Sequence, residues 1–290
     1  MSLQTGTPDQ GDAAPLSTLT TKEKGFSQGT WPCQATPVPS ASPPQPISAL
    51  PPRVQDAARA VHAEFGGAFG PTMHALYLYG AATFAESEGI GDLDFHVILS
   101  APPNQAERAA FTTACDRLAQ RPDCEDLDVW VISLQEARGS QLPQHLIKTT
   151  MQDKAWALHR AHWLAGRCVV MAGPSPASIV IAPDWPELRQ GLADELDFAV
   201  RDQYDAFAVL NSCRIVRSIA DHDVVQSKFG SARWALEHLP AEHAGAIRAA
   251  LNTYRGTATA ADAAAMSADR GAVQALAAQA LADDSDTAMR

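Results

Sequence analysis

Residues 76–99, LYLYGAATFAESEGIGDLDFHVIL, decide how the rest of the chain is read. An apolar run ends at Gly80, and a second begins at Asp92-Leu93-Asp94. Carboxylates at i and i+2 fall on one face of a strand. Side by side they repel, and burying them costs several kcal/mol unless a cation or a shared proton compensates. Oxygen-only ligation by such a pair suits Mg²⁺, which keeps part of its water shell and takes its other ligands from substrate phosphates. The stretch therefore points to phosphate chemistry, although a D-x-D on a strand edge is by itself a weak pattern and often only a solvated face.

Working outward, Met73–Tyr79 predicts the first strand and 94–100 the second. An amphipathic helix is expected over 104–120, and a third strand over 126–133, which opens on the acids Asp126 and Asp128. Upstream, VQDAARAVHAEFGGAF has apolar residues at helical spacing and stops at glycines, so ordered structure is expected from Arg53. Residues 1–52 are rich in Ser, Thr, Gln and Pro, with Pro43-Pro44 and Pro51-Pro52 and hardly any apolar period. Such a segment cannot offset its ordering entropy by burial and is expected to be disordered. From Asp153 the pattern turns helical: 154–166, 186–220, 231–237, 242–255 and an Ala-rich tail, with a short apolar run at 167–171 before Gly173-Pro174.

The Gly turn followed by a D-x-D strand resembles the signature of the nucleotidyltransferase superfamily that includes DNA polymerase β. In that superfamily a third carboxylate arrives on a neighbouring strand, and by the resemblance this role falls on Asp128, ahead of Val129, Val131 and Ile132. The region 211–256 is similar to the C-terminal helical domain of the streptomycin/spectinomycin adenylyltransferases. The shared skeleton is Arg214, Ser227-Lys228, Trp234-Ala235-Leu236, Leu239-Pro240 and Tyr254-Arg255-Gly256. The resemblance implies an α+β chain: an extension over 1–52, a mixed-sheet nucleotidyltransferase domain over 53–172 and a helical domain over 173–290.

It further implies transfer of AMP from ATP, with Mg²⁺, to a hydroxyl of a small cationic acceptor such as an aminoglycoside or aminocyclitol, the activity of an antibiotic-resistance enzyme. Asp92, Asp94 and Asp128 would hold the metals, with Asp128 as base. Gly80, Ala81, Arg214, Lys228 and Tyr254 would meet the nucleotide, while Asp202 and Asp205 are candidates for the acceptor. Two departures weaken the match, since Ala81 and Gly91 stand where hydroxyls normally face the nucleotide; backbone N–H groups around Gly80 and Gly91, or Thr83, are candidates to compensate. The alternatives are a nucleotidyltransferase acting on another metabolite or a protein hydroxyl, and a catalytically weak nucleotide-binding protein. His96 is expected to have a core or supporting role.

Composition narrows the partners. The formal charge is −11, from 22 basic and 33 acidic residues, which argues against nucleic acid and suits a cationic acceptor. Five scattered cysteines without a CxxC pair predict neither a disulfide framework nor a zinc-binding cysteine set, as in a reducing cytoplasm. No stretch reaches the ~20 apolar residues needed to span a bilayer. A cytoplasmic monomer without membrane contact is the expectation.

Overall fold

The computed structural model describes residues 41–88, 92–124, 126–202 and 204–288, and all fall within one compact unit. Residues 1–40 of the extension, which include Cys33, one of the five cysteines, lie outside the described residues, as does Gly91. The chain is α+β, with one four-stranded sheet and a helical carboxyl-terminal region.

Strands β1 (Met73–Tyr79), β2 (Leu93–Leu99), β3 (Leu127–Ser133) and β4 (Val169–Ala172) lie in the order β3-β2-β1-β4. β1 runs antiparallel to β2 and β4, whereas β2 and β3 are parallel. The parallel pair requires a crossover, supplied by helix α2 (Gln105–Leu118). Asn104 starts α2 with a capping box: its side chain accepts from Glu107 N–H, and Glu107 accepts from Asn104 N–H.

Both sheet faces are covered. Leu76, Leu78, Phe95, Val97, Val129 and Val131 pack beneath α1 (Pro52–Phe69) and α2, through Val61, Phe65, Phe69 and Phe111. On the other face Tyr77, Tyr79, Ile98 and Ile132 pack against Trp156 and Trp163. These tryptophans belong to α4 (Trp156–Leu164), which follows the four-residue α3 (Leu134–Ala137). Strand alternation thus places Asp94 and His96 on the tryptophan side.

The later helices are α5 (Trp185–Asp202), α6 (Asp205–Asp221), α7 (Lys228–His238), α8 (Ala244–Tyr254) and α9 (Ala260–Ala288). Residues 186–220, expected as one helix, form two. No Gly or Pro marks the break; Tyr204 takes extended backbone, and a fresh helix begins at Asp205. Helix α7 starts three residues earlier than its apolar pattern does, because Ser227 caps it by accepting from Gly230 N–H.

The expectation of disorder through residue 52 fails for its last twelve positions. Ser42 N–H donates to Leu164 O and Gln45 N–H to Cys168 O, both at 2.8 Å, and Leu50 is buried against α1. Pro-rich chain is ordered here by backbone bonds to a neighbouring segment, which composition does not reveal. Cys115, Cys124, Cys168 and Cys213 are free thiols. Among the described residues no helix is long and apolar enough to cross a membrane.

Candidate active site

Register builds the acidic centre. Tyr79 lies opposite Asp94 across β1 and β2, and Asp94 lies opposite Asp128 across β2 and β3. Asp94 and Asp128 are therefore direct neighbours, with Asp92 two residues ahead of Asp94. The turn at Gly80 closes over them. Gly80 has φ of 73°, and a Cβ there would lie 1.7 Å from Asp94 Oδ2. Glycine is required because the carboxylate packs where a side chain would otherwise stand.

Burial raises Asp94 to about 7, reinforced by the charges of Asp92 and Asp128. Asp128 is also raised, first by burial. This oxygen-rich, mutually repelling donor set fits a divalent cation, with Asp92, Asp94 and Asp128 as holders.

Native Asp94 retains a proton that the unfolded chain releases between about pH 4 and 7, so its contribution to stability declines as pH rises through that window. Mg²⁺ needs the ionised form. The Mg²⁺-induced rise in melting temperature is therefore expected to be small at pH 5 and larger at pH 8; equal shifts in thermal denaturation at both pH values would contradict the assignment.

The three aspartates line a cleft of about 700 Å³ whose opposite wall comes from the later helices. Gly80, Ala81, Arg214, Lys228 and Tyr254 all line it. Arg214 Nη2 donates to Glu195 Oε2 at 2.7 Å. Lys228 Nζ stands 4.1 Å above the Phe207 ring, and burial followed by the Arg214 charge lowers its pKa. Two cations held close together make this wall a site for an anion. The Tyr254 hydroxyl accepts from Tyr204 Oη at 3.0 Å. Two acids secure the wall: Glu86 accepts from Ser227 Oγ at 2.8 Å, and Glu88 pairs with Arg233 and Arg255.

Two sequence expectations are not met. Asp205 is turned to Arg270, whose Nη1 donates to it at 2.8 Å, and it does not line the cleft. Thr83 does not replace the missing turn hydroxyl, because its buried Oγ1 donates to Gly80 O at 2.8 Å. Backbone position alone is described for Asp202, at the end of α5.

The cleft also contains residues that sequence reasoning missed. Asp194, Glu195 and Phe198 enter from α5, and Asp153 and His159 from the start of α4 and the loop before it. The amphipathic period of α5 was a usable signal for the first group. Nothing local marks Asp153 and His159.

A small mixed sheet carrying a D-x-D strand with a third acid beside it, closed by a helical region bearing paired cations, defines the nucleotidyltransferase class of enzymes. Residues 181–283 match the family model described as aminoglycoside adenylyltransferase, C-terminal domain. The fold resembles that of spectinomycin adenyltransferase AAD(9) from Enterococcus faecialis, solved with ATP and spectinomycin. The TM-score is 0.63 at 12% identity, over 77% of this chain and 98% of the other. No curated protein sequence matches the chain significantly.

Proposed function

We propose that the protein transfers AMP from ATP to a hydroxyl of a small cationic acceptor of the aminoglycoside or aminocyclitol class, with Mg²⁺ as cofactor. The observation that carries this reading is the adjacent Asp94–Asp128 pair facing Arg214 and Lys228 across one cleft. The domain division is taken as 53–172 for nucleotide chemistry and 173–290 for the helical part. The AAD(9) neighbour, determined with ATP and spectinomycin, supports both substrates.

Mg²⁺ held by Asp92, Asp94 and Asp128 would neutralise the triphosphate and polarise the α-phosphate. Asp128 accepts the proton of the acceptor hydroxyl. The freed oxygen bonds to the α-phosphorus as the bond to the bridging oxygen of the β-phosphate breaks. Pyrophosphate leaves with that electron pair, its charge met by Arg214 and Lys228. Tyr254 borders the nucleotide. On the acceptor side, Asp194 accepts from Gln190 Nε2 at 3.3 Å and forms no ion pair among the described residues, so it can receive an ammonium group. Asp202 remains a second candidate at the end of α5, whereas the Arg270 contact removes Asp205 from that role.

Pyrophosphate release from Mg²⁺-ATP, measured across streptomycin, spectinomycin and unrelated aminoglycosides with Asp92→Asn in parallel, tests the proposal. Release that depends on one drug and on Asp92 supports it; silence across the panel with ATP still bound points to another acceptor.

Ala81 lacks the hydroxyl of the Gly-Ser turn, and Thr83 is already committed. Ala81→Ser is expected to tighten ATP binding roughly two- to tenfold, the equivalent of one hydrogen bond, as read by calorimetric titration. Unchanged affinity would place the triphosphate away from this turn.

A further inference from the structure

We infer that His96, Asp153 and His159 form a second metal site, separate from the aspartate centre, for a borderline transition ion of the Zn²⁺ type. One donor atom from each lies within 4.8 Å of the others, and among the described residues this is the one set of three or more such side chains so gathered. His96 Nε2 is 3.1 Å from Asp153 Oδ2, and His159 Nδ1 is 2.8 Å from the same oxygen. Tetrahedral bonds of about 2.0–2.1 Å set neighbouring ligand atoms roughly 3.3 Å apart, so the two Asp153 contacts need open only by a few tenths of an ångström, and both nitrogens already lie within 4.8 Å of one another.

Two imidazoles and one carboxylate suit Zn²⁺, Co²⁺ or Mn²⁺, whereas Mg²⁺ prefers oxygen alone. The ligands are prepared electrostatically. His96 is fully buried, and its Nε2 is turned to the Asp153 carboxylate. Burial alone would raise Asp153, but the two imidazoles hold it ionised, well below the usual carboxylate range. Its second oxygen accepts from Ala155 N–H at 3.1 Å, and its own N–H donates to Pro143 O at 3.0 Å, which fixes the carboxylate's direction.

The surroundings support the same reading. The His96 ring is enclosed by Tyr79 and Trp163 at 4.9 and 5.0 Å and by Trp156 at 5.9 Å between centroids. This dry aromatic shell keeps water from competing on three sides. The fourth side is wet, since Asp153 and His159 line the cleft and the His159 side chain is 18% exposed. An ion can enter there, and water or a substrate oxygen can complete its coordination.

The test is titration of the chelator-stripped full chain with ZnCl₂, and separately with CoCl₂, in excess Mg²⁺. Uptake of one equivalent is expected, with proton release and a visible Co²⁺ ligand-field band. His159→Gln and Asp153→Asn should each weaken uptake by more than about a hundredfold, beyond the 10–100-fold that loss of an outer partner costs, while Asp92→Asn leaves it intact. Because the His159 side chain lies at the cleft rim, His159→Gln carries the test if Asp153→Asn fails to fold. Absence of stoichiometric uptake, or uptake that His159→Gln leaves unchanged, overturns the site. The readout uses neither ATP nor acceptor, so it stands or falls separately from nucleotidyl transfer.

Discussion

Asp94→Asn is expected to reduce acceptor-dependent pyrophosphate release by about a thousandfold or more, the scale set by several kcal/mol of lost metal and charge stabilisation. Asn keeps the shape that fits against the Gly80 turn but carries no charge. It also removes the repulsion from Asp92 and Asp128 that adds to burial in raising Asp94 to about 7. The variant should therefore fold normally and melt no lower than the parent in the absence of divalent ions, while losing Mg²⁺-dependent stabilisation. A steady-state assay beside a thermal melt separates these effects. Retention of activity within tenfold would move the chemistry elsewhere in the cleft.

Gly173→Ala is expected to have the largest effect on stability. Gly173 has φ of 84°, and a Cβ would lie 2.2 Å from His74 O and 2.8 Å from Ala75 Cα. Both obstacles are backbone, so they cannot swing aside as a flexible side chain could. The strained dihedral and the overpacking together cost about 3–5 kcal/mol. For a protein of this size that lowers the melting temperature by about 10 °C. The damage should centre on the end of β4, where Ala172 pairs with Leu76, and on Pro174, whose carbonyl accepts from Tyr77 Oη at 2.7 Å. A shift below 2 °C in calorimetry would show that this edge relaxes freely.

The strands were legible because each is short, apolar and bounded by turn residues. β1 matches its expected span of Met73–Tyr79, and β2 and β3 differ from theirs by about one residue. The break between α5 and α6 was not legible, because no Gly or Pro marks Asp202 to Asp205 within the helical pattern over 186–220, whereas in the fold Tyr204 takes extended backbone and its hydroxyl donates to Tyr254. Residues 41–52 were misread for a related reason: their order comes from bonds to Leu164 and Cys168, far along the chain. Asp205 was selected for its charge and position, but the residue that claims it, Arg270, is 65 positions away.

Whereas the β2–β3 register brought Asp128 beside Asp94, the sequence by itself determined the alternation that puts Asp92 and Asp94 on one face, the glycine that ends the first apolar run, and the order of sheet and helices. These are local properties, carried by periods of two and 3.6 residues and by backbone freedom at single positions. Only the tertiary structure decided that Glu195 holds Arg214, that Thr83 is already engaged, and that His96 and His159 share Asp153. The physical reason is range: His96 and Asp153 are 57 residues apart, and no local pattern encodes a contact whose partners meet only when α4 packs on the sheet.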